Sequence, residues 1–327
     1  MKSYRGLILI IIGVLSVPLY YHFEPSIHNI INGYKSNRAF KSHHIHSHDG
    51  DEMISSMAMI NDEPDAWYAK YRLIAHGCGG IDGKMITNSL EALDYNYSIG
   101  TRLFDVDVCW SADSVLVCRH SWKDNTGQDV KEPIWKSKRV YNEKIQQEGW
   151  LSNSNTVLNS RVYANHLLYG RYHTLSVNEL FLWLETHPDA YCLPDLKGPD
   201  MAKAFVRLIQ NENKDSILHR IIIRIDDFPD YEAVRKLPYE HFMLKKNNMG
   251  INTYSDIINF CVSNDIHAVS LSLIDSDDSI LSLFARKGIH VYVAVIDNLP
   301  DYFYFINKGA WGAVSNFIGE NHLPNNK

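Results

Sequence analysis

The sequence predicts an α/β chain built as a (β/α)8 barrel of the TIM type, and three observations carry that expectation. From Tyr71 onward, short apolar runs rich in β-branched residues alternate with amphipathic segments. The alternation comes close to eight repeats, and a chain of 327 residues has room for them, since such barrels commonly take about 250 residues. Strands separated by helices form parallel sheets, because parallel neighbours need a long crossover between them. A doubly wound open sheet is the second architecture that fits. A composition of 45% hydrophobic, 12% aromatic and 21% charged residues excludes wholesale disorder, a collagen-like chain and a small disulfide scaffold.

The chain opens with an uncharged stretch, Gly6 to Phe23, between Arg5 and Glu24. It contains the run LILIIIGVLSV and ends near Tyr20-Tyr21, where an interfacial belt would sit, so residues 1–23 read as a transmembrane signal anchor just long enough to span a bilayer. Pro18 and the two Tyr make a poor peptidase site, which favours an uncleaved anchor over a secretory signal. Lys2 and Arg5 favour a cytoplasmic N-terminus, giving a single-pass protein with an extracytoplasmic barrel. Residues 24–65 show no apolar period and read as a linker; the HHIHSHDGDE tract within it has metal donors but nothing to fix their geometry. The barrel is then assigned to residues 66–327.

Candidate strands fall at 72–75, 103–108, 115–119, 190–193, 221–225, 242–244, 268–271, 291–296 and 313–315, and candidate helices at 89–98, 176–186, 201–210, 255–263, 277–287 and 301–307. Ser176 and Glu179 form a capping box, and Gly288 and Gly309 stand where helices end. Two strains remain. Nine strands are one too many, and the link from Val108 to Val115 is too short for a helical crossover. Residues 121–172 fit no strand–helix unit and are read as an inserted loop subdomain, which after a barrel strand lies at the catalytic face. A net charge of -6 gives no support for nucleic-acid binding. Five Cys with no C-x-x-C pair indicate neither a disulfide framework nor a zinc site, and buried free thiols are expected.

Charged and imidazole groups gather where the strands end. His76 follows RLIA, Asp105 and Asp107 interrupt LFDVDV, His120 ends VLVCRH, and Asp195 and Lys197 end YCLPDLK. Residues two apart on a strand share a face. Three carboxylates facing a barrel mouth repel one another unless a hard divalent cation, Mg²⁺ or Ca²⁺, holds them. The competing readings are an internal ion pair, such as Asp195 with Lys197, or an inverted strand phase that turns both Asp of LFDVDV to solvent. Two His with a bound cation and a Lys suit phosphodiester cleavage, the cationic groups offsetting phosphoryl charge and the imidazoles moving protons.

The stretches IAHGCGG, TNSLEAL, FDVDV, VCRHSW and LPDLK, with KGIHVYVAVIDN and KGAWGAVSN near the end, resemble the glycerophosphodiester phosphodiesterase family over roughly residues 71–318. The resemblance implies a metal-dependent (β/α)8 barrel with His76 and His120 as the general acid/base pair. It further implies Asp105, Asp107 and Asp195 as ligands of Mg²⁺ or Ca²⁺ and a phosphate contact from Lys197; Asn88, kept from the family's E-N-T, is read as a substrate contact, and Arg119 or Lys84 as the charge that replaces the family's Arg at Gly77. The implied reaction is attack on phosphorus by water or a neighbouring substrate hydroxyl, releasing an alcohol and a phosphomonoester such as sn-glycerol 3-phosphate. Alternatives are a phospholipase-like lyase that forms a cyclic phosphate and a non-catalytic tethered barrel that binds a phosphorylated ligand. The chain departs from the family pattern at Gly77, where the family has Arg, at Thr87, where it has Glu, at Ser121, where it has Asp, and in the shorter Asp at 105 and 195. These departures point to a divergent member with another substrate, a lipid head group or a surface glycopolymer carrying phosphodiesters.

Overall fold

The computed structural model describes residues 59–61, 63–120, 122, 134–135, 157–246 and 253–324. All of them lie in the second of two compact units, residues 48–327. The expected anchor over 1–23, most of the linker and much of the insertion lie outside the described residues. Among the described residues no helix is long and apolar enough to cross a membrane.

A short helix, Trp67–Lys70, precedes eight strands and seven helices in alternation. They run β1 (Leu73–Ala75), α1 (Leu90–Ser98), β2 (Leu103–Trp110), α2 (Val177–Thr186), β3 (Tyr191–Asp195), α3 (Pro199–Asn211), β4 (Ile222–Ile225) and α4 (Phe228–Val234). The second half is β5 (His241–Lys245), α5 (Tyr254–Asn264), β6 (Ala268–Ser272), α6 (Asp278–Ala285), β7 (His290–Ala294), α7 (Leu299–Ile306) and β8 (Gly312–Ser315). Successive strands pair in parallel, and β8 pairs back onto β1 through Leu73↔Ala313. Between β3 and β4 the sheet is joined by a single parallel bridge, Cys192↔Ile221. The sheet is thus a parallel curl with helices outside it. The eighth unit departs from the expected repeat: after β8 the described chain makes only the 3₁₀ turn Glu320–His322.

The surplus strand is resolved. Leu116–Cys118 pairs antiparallel with β2, setting Val108 against Cys118 and Cys109 against Val117. An antiparallel hairpin needs no crossover, so the short link is sufficient. Leu175–Ser176 adds to the hairpin's other edge, so the insertion leaves and re-enters the ring beside β2. Helix α4 has no counterpart among the predicted helices. It is seven residues long with a proline in its first turn, a position where no amide is missed, and Asp227 caps it by accepting from the Phe228 amide at 2.8 Å. The capping box of Ser176 and Glu179 forms as expected, and Gly288 and Gly309 take positive φ of 75° and 102° at helix ends. All five thiols are free, and four are buried.

The side-chain period of two fills the ring. Ile74, Leu103, Leu193, Ile222, Met243, Ala268, Tyr292 and Val314, one from each strand in turn, form a single buried cluster. Trp67 and Tyr68 of the first helix plug it from the N-terminal end of the strands. The seam between β8 and β1 is fixed by Glu320, whose Oε1 accepts the amides of Arg72 at 2.6 Å and Leu73 at 2.9 Å.

Burial raises the Glu320 carboxyl above its ordinary value of 4.5, against the lowering effect of those two amides. A carboxyl raised on folding stabilises most when protonated, and that contribution is lost as pH rises through the folded value. Glu320→Gln keeps the acceptor and removes the buried charge. Thermal melting is expected to place it above wild type at pH 8, with the gap closing below about pH 4. Glu320→Ala leaves two buried amides without an acceptor and is expected to cost about 1–3 kcal/mol.

Candidate active site at the C-terminal strand ends

The same period carries the apolar interior over into a polar one. Two residues beyond the buried cluster come His76 after Ile74, Asp105 after Leu103, Asp195 after Leu193, Arg224 after Ile222, Lys245 after Met243 and Asn316 after Val314. Asp107 follows one step further along β2, and Asp226 comes just after the last residue of β4. Asp105, Asp107 and Asp195 are all at least 96% buried, so the reading that turned the Asp of LFDVDV to solvent does not hold.

Arg224 occupies the middle of this ring. Its Nη1 donates to Asp105 Oδ2 at 2.9 Å and its Nη2 lies 2.5 Å from Asp195 Oδ1, with the guanidinium side chain 8% exposed. Lys197 Nζ pairs with the other oxygen of Asp195. Burial acts to raise the Asp195 carboxyl, but Arg224 and then Lys197 overcome it and hold the group well below the usual carboxylate range. The two Asp in turn hold the Arg224 proton more firmly than in water, in spite of its burial. Asp107 moves the other way, pushed up by burial and by Asp105, with a hydrogen bond from Asn88 opposing. Buried Oδ1 atoms of Asp105 and Asp226, and Nε of Arg224, have no hydrogen-bond partner.

His76 begins the turn after β1, with Nδ1 3.1 Å from Asn316 Oδ1. Asn316 Nδ2 donates to Asp297 Oδ2 at 2.8 Å, and the Asn316 amide donates to Asp297 Oδ1 at 2.7 Å. Asp297 thus sets the Asn316 side chain with its carbonyl toward His76, which makes Nδ1 the protonated nitrogen and leaves the lone pair on Nε2. His120 is exposed and close enough to Asp107 for a charged imidazole to lower that carboxyl.

The remaining expected contacts fall as follows. Asn88 is 1% exposed and grips Asp107 twice, Nδ2 donating to Oδ2 and Oδ1 accepting the Asp107 amide, each at 2.9 Å. Thr87, in the position of the family's Glu, is also buried and shares a 2.9 Å hydrogen bond with Ser89. Arg119 is 3% exposed; its amide donates to the Asp107 carbonyl at 2.8 Å and its guanidinium lies over the Trp122 ring. Lys197 reaches Asp195, the internal pair weighed from sequence, while its side chain stays half exposed at the mouth. The described part of the insertion packs its own small core, with Tyr163, Leu168 and Tyr172 against Val117 and Ile81. Tyr172 and Arg171 both reach Asp82 in the loop after β1, at 2.8 and 2.7 Å.

Gly77, where the family has Arg, has φ of 55°, and a Cβ there would lie 2.6 Å from Ile86 Cγ2 and 2.7 Å from Ile86 Cα. The positive φ and the close Ile86 backbone leave no room for a side chain at this position. Gly77→Arg is expected to lower stability by at least about 1–2 kcal/mol in a denaturant melt, with no gain in phosphate affinity by calorimetry.

The expected divalent cation can be tested against the oxygens available. Four of the six carboxylate oxygens of Asp105, Asp107 and Asp195 already take donors from Arg224, Lys197 or Asn88. A Ca²⁺ or Mg²⁺ ion takes about six or more oxygen ligands, some of them water, and needs carboxylate oxygens turned toward it rather than toward another cation. Among the described residues no group of three or more His, Cys, Asp or Glu is placed to hold a metal ion. The three acids converge as expected, but the cation between Asp105 and Asp195 is the chain's own guanidinium, and this arrangement does not fit a metal.

Arg224, Asn316, Asp297, Asp226 and Lys245 were not among the residues expected from sequence. The signal for Arg224 was a charge inside the run IIIRID, two residues after an interior Ile.

No family model and no curated protein matches the chain. Solved structures do. One is an Oleispira antarctica phosphodiesterase in complex with the product sn-glycerol-3-phosphate, at TM-score 0.57 and 12% identity, covering 77% of this chain and 95% of that one. Another is a glycerophosphoryl diester phosphodiesterase from Parabacteroides distasonis, at 0.53 and 15%, covering 82% and 88%. A third is a glycerophosphodiester phosphodiesterase from Thermotoga maritima, at 0.52 and 14%, covering 75% and 93%. At such identities the likeness shows a shared fold.

Proposed function

We propose that this chain is a phosphodiesterase acting on glycerophosphodiester-type substrates, releasing an alcohol and a phosphomonoester such as glycerol 3-phosphate. The observation that carries the proposal is His76. Its ring is oriented by Asn316 and Asp297 with Nε2 free, at the polar end of a fold shared with phosphodiesterases.

His76 Nε2 takes the proton of the attacking water or neighbouring substrate hydroxyl as the new O–P bond forms. His120, exposed at the rim, gives a proton to the leaving oxygen as the old P–O bond breaks. Lys197, half exposed, is placed to meet a phosphoryl oxygen. Asn88 positions Asp107 from beneath, and Asp107 faces His120. Attack by water gives the phosphomonoester directly; attack by a substrate hydroxyl gives a cyclic phosphate first. The apolar run over residues 6–23 supports tethering to a membrane, where lipid head groups or a surface glycopolymer are within reach.

The test is incubation of the full chain with glycerophosphocholine, a lysophospholipid and a teichoic-acid-like polymer, with products followed by phosphorus NMR. Release of a phosphomonoester from at least one is expected. A cyclic phosphate as end product supports the lyase alternative, and binding without turnover in every buffer supports the non-catalytic one.

A further inference from the structure

We propose that Arg224 stands in for the divalent cation: its guanidinium, seated on Asp105 and Asp195, is the fixed positive charge that meets the phosphoryl group, and the reaction needs no metal. This rests on the phosphodiesterase reading above. Three consecutive strands, β2, β3 and β4, supply the two carboxylates and the guanidinium, so the charge is held on the rigid part of the fold. A guanidinium has five N–H donors in a planar fork. Asp105 and Asp195 engage Nη1 and Nη2 once each, so each of these nitrogens keeps a second N–H. Those N–H groups are the donors for phosphoryl oxygens, which match the fork in geometry.

Stability alone gives little reason for such a group. A buried charged cluster is commonly no more stable than an apolar replacement of the same volume, and here the first interior layer below it is wholly apolar. The cluster is also incompletely satisfied from within, since Asp105 Oδ1 and Asp226 Oδ1 lack partners. Arg224, Lys197 and Lys245 all act on Asp195 and Asp226, so three cationic side chains gather at this end of the strands. A guanidinium moves no proton here and forms no bond to phosphorus. It offsets charge on the equatorial oxygens while His76 and His120 carry the protons.

The full chain is assayed on glycerophosphocholine in EDTA and again with Mg²⁺, Ca²⁺ or Mn²⁺. The expected rates agree within about twofold, and Arg224→Met lowers kcat/KM by about 10²–10³-fold. Arg224→Lys, which keeps the charge without the fork, is expected to recover only part of that loss. Two readouts are independent of turnover. Titration of wild type with Ca²⁺ or Mg²⁺ is expected to give no binding heat, and glycerol 3-phosphate is expected to raise the Tm of wild type in EDTA but not that of Arg224→Met. Turnover that appears only with a divalent cation, or saturable cation binding by wild type, overturns the inference and leaves the phosphodiesterase reading standing. Absence of turnover in all buffers removes that reading instead, and the cation and glycerol 3-phosphate titrations then decide whether Arg224 is the anion-binding charge.

Discussion

His76→Ala is expected to lower kcat on a glycerophosphodiester by about 10²–10⁴-fold, the range lost with a positioned general base. The melting temperature is expected to stay close to that of wild type, because the ring is only partly buried and its described hydrogen bond is the one to Asn316. Two residues that never touch the reacting atoms act on the same ring. Asp297 accepts from both the backbone and side-chain nitrogens of Asn316, at 2.7 and 2.8 Å, so the Asn316 carbonyl must face His76. Asp297→Asn replaces an obligate acceptor by a group that also donates, and allows Asn316 to turn its NH₂ toward His76 Nδ1. The imidazole then carries its proton on Nε2, where it cannot act as a base. A loss of about 10²-fold in kcat is expected for Asp297→Asn and for Asn316→Ala, as for other small misplacements of a reacting group. KM is expected to change little. A loss confined to KM, or a matching fall in Tm, would show that the pair serves the fold and not the orientation of His76.

The largest expected effect on stability is at the other end of the strands. Trp67 is 2% exposed and plugs the apolar cluster, its ring stacked on Tyr292 at 6.5 Å and edge-on to Tyr68 at 5.5 Å. Trp67→Ala opens a cavity that eight strands of a closed curl cannot collapse to fill, and is expected to cost about 3–5 kcal/mol in urea unfolding. Trp67→Phe keeps the aromatic contact and is expected to cost less than half of that. Because the plug and the polar ring lie at opposite ends of the strands, residual activity per folded molecule is expected to be unchanged in both variants. A drop in activity without a drop in stability would mean that the lower cluster sets the geometry of the upper one directly.

Much of this architecture was legible in the residues. The eight ring strands all coincide with apolar runs, since a strand enclosed on both faces must be apolar nearly throughout. His76, Asp105, Asp107 and Asp195 were visible as polar interruptions at the ends of those runs, and a period of two put Asp105 and Asp107 on one face, but only their burial shows that this face is the interior one. The Leu116–Cys118 run was legible as a strand but not as a hairpin partner, because an isolated strand carries no mark of the direction in which it pairs.

The sequence by itself determined the alternation, the apolar interior and the acids at the mouth, because each depends only on neighbours a few residues apart. The tertiary structure alone decided which charge those acids hold and which nitrogen of His76 is free. Arg224 meets Asp105 across 119 residues and Asn316 meets His76 across 240. Such partners are set by the register of the closed ring, and no local pattern in the chain encodes that register.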